Sequence, residues 1–334
     1  MNEAPSVPAA PAFKDRHAGL VVFGILELLL GCLCALLCPL MLLAASMSGQ
    51  GGGMPPGMMI QNVVFYGVLA VAFIWLGIGS ILSRRWARAL LLIVSWSWLV
   101  VGVLTLAFMG VLLPELLSTM FAQNPGMPEA AKVIVFVLPL AMAGVFFIVV
   151  PGLMVLFYRS KQVKATCEAR DPQARWTDAC PLPVLAVSLW LGFGAMSLLL
   201  MAAAYHGVMP FFGRFISGWP GSVVLVTMFG VWSYCAWAFY RLRLAGWWLV
   251  VVAIGLFGLS SLVTFARVDL MEMYRLMGYT DQMIQQIQQF NIFKGSTLVV
   301  WCCVCFVPIF AYLIYVKRFF HAAPPASEAP TATA

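Results

Sequence analysis

Eight separate stretches of this chain are long and apolar enough to cross a lipid bilayer, and that feature limits what the chain can fold into. A helical span needs about 20 apolar residues. The runs fall at roughly 19–45, 62–83, 88–113, 133–158, 182–205, 221–240, 244–266 and 296–316. Little polar sequence is left between them. Of 334 residues, 63% are hydrophobic and 9% charged, against about 25% charged in a soluble domain. Such a chain cannot cover a water-facing surface, and no segment is long and polar enough for a separate soluble domain. The predicted fold class is all-α: a polytopic integral membrane protein of eight transmembrane helices. The net charge of +7 is then no nucleic-acid footprint. The bilayer is the expected partner, and no nucleic acid is.

Where the basic residues sit fixes the expected orientation. Lys14 and Arg16 precede span one; Arg84, Arg85 and Arg88 separate spans two and three; Arg159, Lys161, Lys164, Arg170 and Arg175 follow span four. Arg241 and Arg243 separate spans six and seven, and Lys317 and Arg318 follow span eight. These are 14 of the 19 basic residues, all on one side; Lys132, Arg214, Arg267, Arg275 and Lys294 lie on the other. Positive loops stay cytoplasmic, so both termini are expected inside, in a plasma membrane read as a bacterial inner membrane. Arg84, Arg85, Arg88, Arg241 and Arg243, in tight hairpins beside tryptophans, read as headgroup and topology anchors. Span one is too long for a signal-peptide core of about 7–15 residues and contains Glu27, so it reads as an uncleaved helix. Both ends are rich in Ala, Pro and Ser and read as disordered.

The chain also repeats itself. At a shift of 157 residues Trp75 meets Trp232, Arg84 meets Arg241, Glu115 meets Glu272, Pro151 meets Pro308 and Tyr158 meets Tyr315. The first helices match at a slightly larger shift, placing Glu27 on Ser188. The expected organisation is a disordered N-terminus (1–17), a first four-helix repeat (18–158), a cytoplasmic linker (159–181), a second four-helix repeat (182–318) and a disordered tail (319–334). Four spans is an even number, so the two copies are parallel. The outer segment after span seven places Leu270, Met273, Tyr274 and Met277 on one helical face and Met283, Ile287 and Phe290 on another. Those are amphipathic helices suited to the outer membrane surface or to capping the bundle. The corresponding segment of the first half is shorter and interrupted by prolines. Pro151 and Pro308 are expected to kink the fourth helix of each copy.

Two groups of residues invite a chemical reading. Glu27 is the one acidic residue well inside a span, and an intramembrane carboxyl is a functional candidate by default. The cysteines of GCLCALLC (31–38) and WCCVC (301–305) are the other. At 100° per residue Cys34 and Cys38 share a face and Cys32 does not, so one helix cannot aim all three at one ion. The Cys34 face runs back through Gly31, Glu27 and Gly24, a small-residue stripe that lets helices approach closely. The repeat places ordinary apolar residues at the cysteine positions, which favours packing. The alternative is a Cu(I) or thiol-redox site built from Cys34, Cys38, Cys302 and Cys305 near the Met47, Met54, Met58 and Met59 loop.

No nucleotide loop, zinc-protease motif or nucleophile elbow is present, so no enzyme and no resident cofactor is expected. The leading expectation is a non-enzymatic membrane module that assembles with itself or with a membrane or periplasmic partner. The alternative is a transporter of a small neutral or lipid-like solute with a site between the repeats near Glu27.

Overall fold

The computed structural model describes residues 13–47, 56–123, 126–289 and 295–321. The N-terminal twelve residues, the tail after His321 and Met54 lie outside the described residues. Every long apolar run is helical: α1 (His17–Met47), α2 (Pro56–Ile81), α3 (Arg85–Gln123), α4 (Glu129–Gly144) continued by α5 (Val150–Arg159), α7 (Leu182–Ala204), α8 (Gly218–Tyr240), α9 (Leu244–Arg267) and α12 (Gly295–His321). Among the described residues these supply eight candidate spans, whose ends lie within a few residues of the sequence expectation. The protein is a multi-pass membrane protein.

Three features depart from the simple pattern. First, α3 continues through Pro114 to Gln123, where a proline-broken loop was expected. A proline forgoes one backbone hydrogen bond, and the apolar run on either side, with Leu117 buried, is enough to carry the helix past it. Second, the fourth span is interrupted by a π turn at Val145–Val149. It stands just before Pro151, whose ring and missing N–H disturb the preceding turn, whereas α12 runs through Pro308 as one helix. Third, a short antiparallel hairpin, β1 (Met209–Phe211) and β2 (Arg214–Ile216), follows α7. Its two central residues, Phe212 and Gly213, both have positive φ, as a tight hairpin turn requires.

The described chain divides into two compact units. Unit 1 comprises residues up to 37, 66–103 and 142–178. In it α1 and α2 approach backbone to backbone, and the linker forms a helix, α6 (Lys161–Arg170), and a 3-10 turn at Trp176–Asp178. Val163, Thr166 and Cys167 are the buried side of α6. The start of α1 is tied to this helix: Arg16 N donates to Thr166 Oγ1 at 3.0 Å and Arg16 Nε to Gln162 Oε1 at 2.8 Å.

Unit 2 comprises residues 38–65, 104–141 and everything from 179. In it α7 packs along α8, and α9 packs on α8 and α12. Trp247 Nε1 donates to the Leu313 carbonyl at 2.8 Å. The hairpin tip is held by α9, since Phe212 N and Gly213 N donate to Ser260 Oγ and Thr264 Oγ1 at 2.9 and 3.0 Å. Two amphipathic helices, α10 (Leu270–Leu276) and α11 (Asp281–Gln289), follow α9 and bury Leu270, Met271 and Ile284.

The turn after α2 and the turn after α8 have the same geometry. Ser83 (φ 53°) and Leu242 (φ 54°) are left-handed. Arg84 N donates to Gly79 O at 2.9 Å and Ser83 N to Ser80 O at 2.8 Å. Arg243 N donates to Ala238 O at 2.8 Å and Leu242 N to Phe239 O at 2.9 Å. Both are Schellman turns. In each a glycine faces an alanine closely, Gly79 opposite Ala87 and Gly246 opposite Ala238. A leucine in the left-handed region costs roughly 1 kcal/mol. Leu242→Gly is therefore expected to raise the unfolding midpoint in a denaturant titration, by about 1 kcal/mol or less after glycine's own entropy cost.

Candidate functional site

The buried face of α1 is Leu20, Gly24, Glu27, Gly31 and Cys34, spaced alternately by four and three residues like a coiled-coil seam. Glycines on this face admit the neighbouring helix. A Cβ on Gly24 would stand 2.8 Å from Gly77 O, and one on Gly77 would stand 2.7 Å from Gly24 O and 2.9 Å from Leu28 N. Gly31 meets Ile74 N and Ala70 O in the same way. The seam holds Glu27 against α2 and α5 with 3% of it exposed.

Tyr158 Oη on α5 donates to Glu27 Oε1 at 3.0 Å. Ser80 Oγ on α2 lies 2.9 Å from the same hydroxyl and donates to the Leu20 carbonyl at 3.0 Å. Phe23 and Phe157 stack beside them with centroids 4.6 Å apart. Glu27 Oε2 is buried and has no hydrogen-bond partner among the described residues. A neutral polar group without a partner already costs free energy in an apolar medium, and a charged one costs much more. One turn beyond Ser80, Ser83 Oγ lies 2.9 Å from Nδ1 of the half-buried His17.

The cysteines are spread over different surroundings. Cys34 is on the buried seam in unit 1, and Cys32 is exposed on another face. In unit 2 Cys38 is half-buried and its thiol donates to Val63 O at 3.6 Å. Cys302 is half-buried, while Cys303 and Cys305 are exposed. Among the described residues no group of three or more His, Cys, Asp or Glu side chains is placed to hold a metal. Of the loop methionines, Met58 accepts a hydrogen bond from Tyr279 Oη at 3.5 Å. In the linker region burial pushes the thiols of Cys167 and Cys180 up to about 11, so both are protonated at neutral pH and poor nucleophiles.

The basic hairpins differ in their surroundings. Arg84 and Arg85 meet carboxylates of the linker. Arg84 Nη1 is 3.7 Å from Asp171, and Arg85 is 3.6 Å from Glu168 and 3.4 Å from Asp178. Arg88 lies one turn into α3 and is half-buried. In the other hairpin Arg241 and Arg243 are exposed, with the Arg243 guanidinium 4.3 Å over the Trp237 ring. Asp171 is the hub of the linker network. Arg175 Nη2 donates to it at 2.6 Å and the Arg85 backbone N–H at 3.3 Å.

Sequence reasoning did not single out Asp171, Ser80 or, except as a repeat landmark, Tyr158. For Ser80 and Tyr158 the available signal was a hydroxyl within or at the edge of a span, and such residues are common enough to carry little weight alone. No family model, curated protein or solved structure matches the chain.

Proposed function

We propose that this protein is a non-enzymatic module of a plasma membrane, read as bacterial, that assembles with itself or with a partner membrane protein. The observation that carries this reading is the shallow burial of the fourth span of each half. Only 6% of the most apolar stretch of Glu129–Arg159 is buried and 11% of that of Leu298–Phe320, against 22–33% for the other six. Among the described residues nothing stands within 4 Å of a Cβ at Gly144 or Gly152 on the first of these, and small residues on a lipid-facing helix admit a second helix. The stripe of Gly24 and Gly31 is already occupied by α2 and is not the assembling face.

The orientation with both termini inside rests on the 14 basic residues of one side. Two parallel four-helix repeats are supported by the matching Schellman turns, whose left-handed residues are 159 positions apart. That register differs by two from the 157-residue alignment of the tryptophan and proline landmarks.

Native mass spectrometry on protein kept in its own lipid is expected to show a multiple of 36.6 kDa or a stoichiometric second protein. Gly144→Leu and Gly152→Leu are expected to lower that mass to the monomer without unfolding the chain. A monomer carrying only lipid in the wild-type protein would refute assembly. It would leave the second reading, transport of a small neutral or lipid-like solute, which the unpartnered Oε2 of Glu27 favours.

A further inference from the structure

Three oxygen–oxygen contacts of hydrogen-bond length link Glu27 to the backbone of its own helix. They are Glu27 Oε1 to Tyr158 Oη at 3.0 Å, Tyr158 Oη to Ser80 Oγ at 2.9 Å, and Ser80 Oγ to Leu20 O at 3.0 Å. All four residues are buried. Each contact needs one proton. Tyr158 and Ser80 bring one each, and a carboxylate brings none. Two protons cannot fill three contacts.

With a third proton on Glu27 the chain closes. The acid donates to Tyr158, Tyr158 to Ser80, and Ser80 to the Leu20 carbonyl. Without it Tyr158 must turn to donate to Glu27. Ser80 must then choose between Tyr158 and Leu20, so one buried contact is left unmade.

We infer that Glu27 is a reversible proton-binding site, and that loading it reverses the Glu27–Tyr158 hydrogen bond and lets Tyr158 donate to Ser80. Loading forms one O–H bond on the carboxyl, taking the proton from hydronium and leaving water. Among the described residues the charged state has no counter-ion. From α5 the titratable group facing Glu27 is Tyr158, and α2 brings Gly77 and Ser80, neither of which titrates. On α1 the titratable neighbours are Cys34, seven residues on along the same buried face, Cys32 on another face, and His17, ten residues back and about 15 Å along the axis. A thiol carries no positive charge in either state, so neither cysteine is a counter-ion. Ser80 and Ser83, between Glu27 and His17, lie on the His17 side of the carboxyl. The proton is therefore exchanged at the end of the membrane where His17 meets solvent. This inference goes beyond the assembly reading, and its test stands whether or not the chain assembles.

The test is infrared difference spectroscopy of the full chain in lipid nanodiscs between about pH 6.5 and about pH 10, a range in which water-exposed Asp and Glu stay ionised. The expected result is one carboxylic-acid carbonyl band that comes and goes with pH, shifts in D2O and is absent from Glu27→Gln. Tyr158→Phe and Ser80→Ala keep the carboxyl and are expected to move the band. They carry the test if Glu27→Gln does not fold. A spectrum with no acid band, or with a band of constant intensity over the whole range, overturns the proposal. So does a band that neither hydroxyl variant moves.

Discussion

Gly77→Leu is expected to cost more folded protein than any other single change at the α1–α2 contact. A Cβ at this position would stand 2.7 Å from Gly24 O and 2.9 Å from Leu28 N. Both are backbone atoms of a helix and neither can swing aside, so α1 must move as a body. Overpacking of this kind costs roughly 1–3 kcal/mol. Moving α1 also pulls Glu27 from Tyr158, which leaves a buried carboxyl unpaired at a further cost of about 1–3 kcal/mol. Together these are a large share of the roughly 5–15 kcal/mol that stabilises an ordinary domain. The check is the denaturant midpoint of the purified chain compared with Gly67→Leu. Gly67 lies on the same helix with nothing within 4 Å of its Cβ position. Equal losses at the two sites would show that the seam does not depend on close approach.

That seam was legible in the sequence because it is local. The spacing of Gly24, Glu27, Gly31 and Cys34 is a periodicity of one helix, and periodicity survives without a partner in view. Tyr158 lies 131 residues away from Glu27. Nothing in a single sequence says which of several polar side chains near helix ends will be brought to a given carboxyl. The spans were legible because bilayer thickness sets their length. Pro114 misled, since a proline signals a break only where the flanking sequence cannot sustain the helix. The β-hairpin was hidden because each strand has only three residues, too few for an alternation to show. The linker looked like a connector for another reason. Its helix is polar on most sides, and the narrow face of Val163, Thr166 and Cys167 becomes meaningful only beside the end of α1 that it covers.

The linker also holds the charged group whose loss should be felt most. Asp171 is 2% exposed, and it accepts hydrogen bonds from Arg175 and from the Arg85 backbone N–H, with Arg84 3.7 Å away. Arg85 is the first residue of α3, so the carboxylate also sits at a helix N-terminus, where negative charge is favoured. Asp171→Ala removes the group joining α6 to the α2–α3 turn. Removing one partner of a fully buried pair costs about 3–5 kcal/mol. Here the arginine side chains are 41% and 31% exposed and regain water, so a loss of roughly 1–3 kcal/mol is expected. Faster trypsin cleavage at Arg175, whose flanking residues the substitution leaves unchanged, should accompany it.

The pH dependence follows from the same contacts. The Arg175 hydrogen bond first, then the Arg85 N–H and the charges of Arg175 and Arg84, hold the Asp171 carboxyl below its usual 3.8. A depressed folded value means that the contribution is complete above the unfolded value and is lost as pH falls through the folded one. Wild-type protein should therefore keep its linker protected at neutral and mildly acid pH and release it only below about pH 4. Trypsin does not work in acid, so the readout across this range is hydrogen exchange of the linker amides, expressed as protection relative to the unfolded rate. Asp171→Ala should show an already lowered protection that lacks this acid step. Identical protection profiles for the two proteins across that range would show that the Asp171 network does not hold the linker.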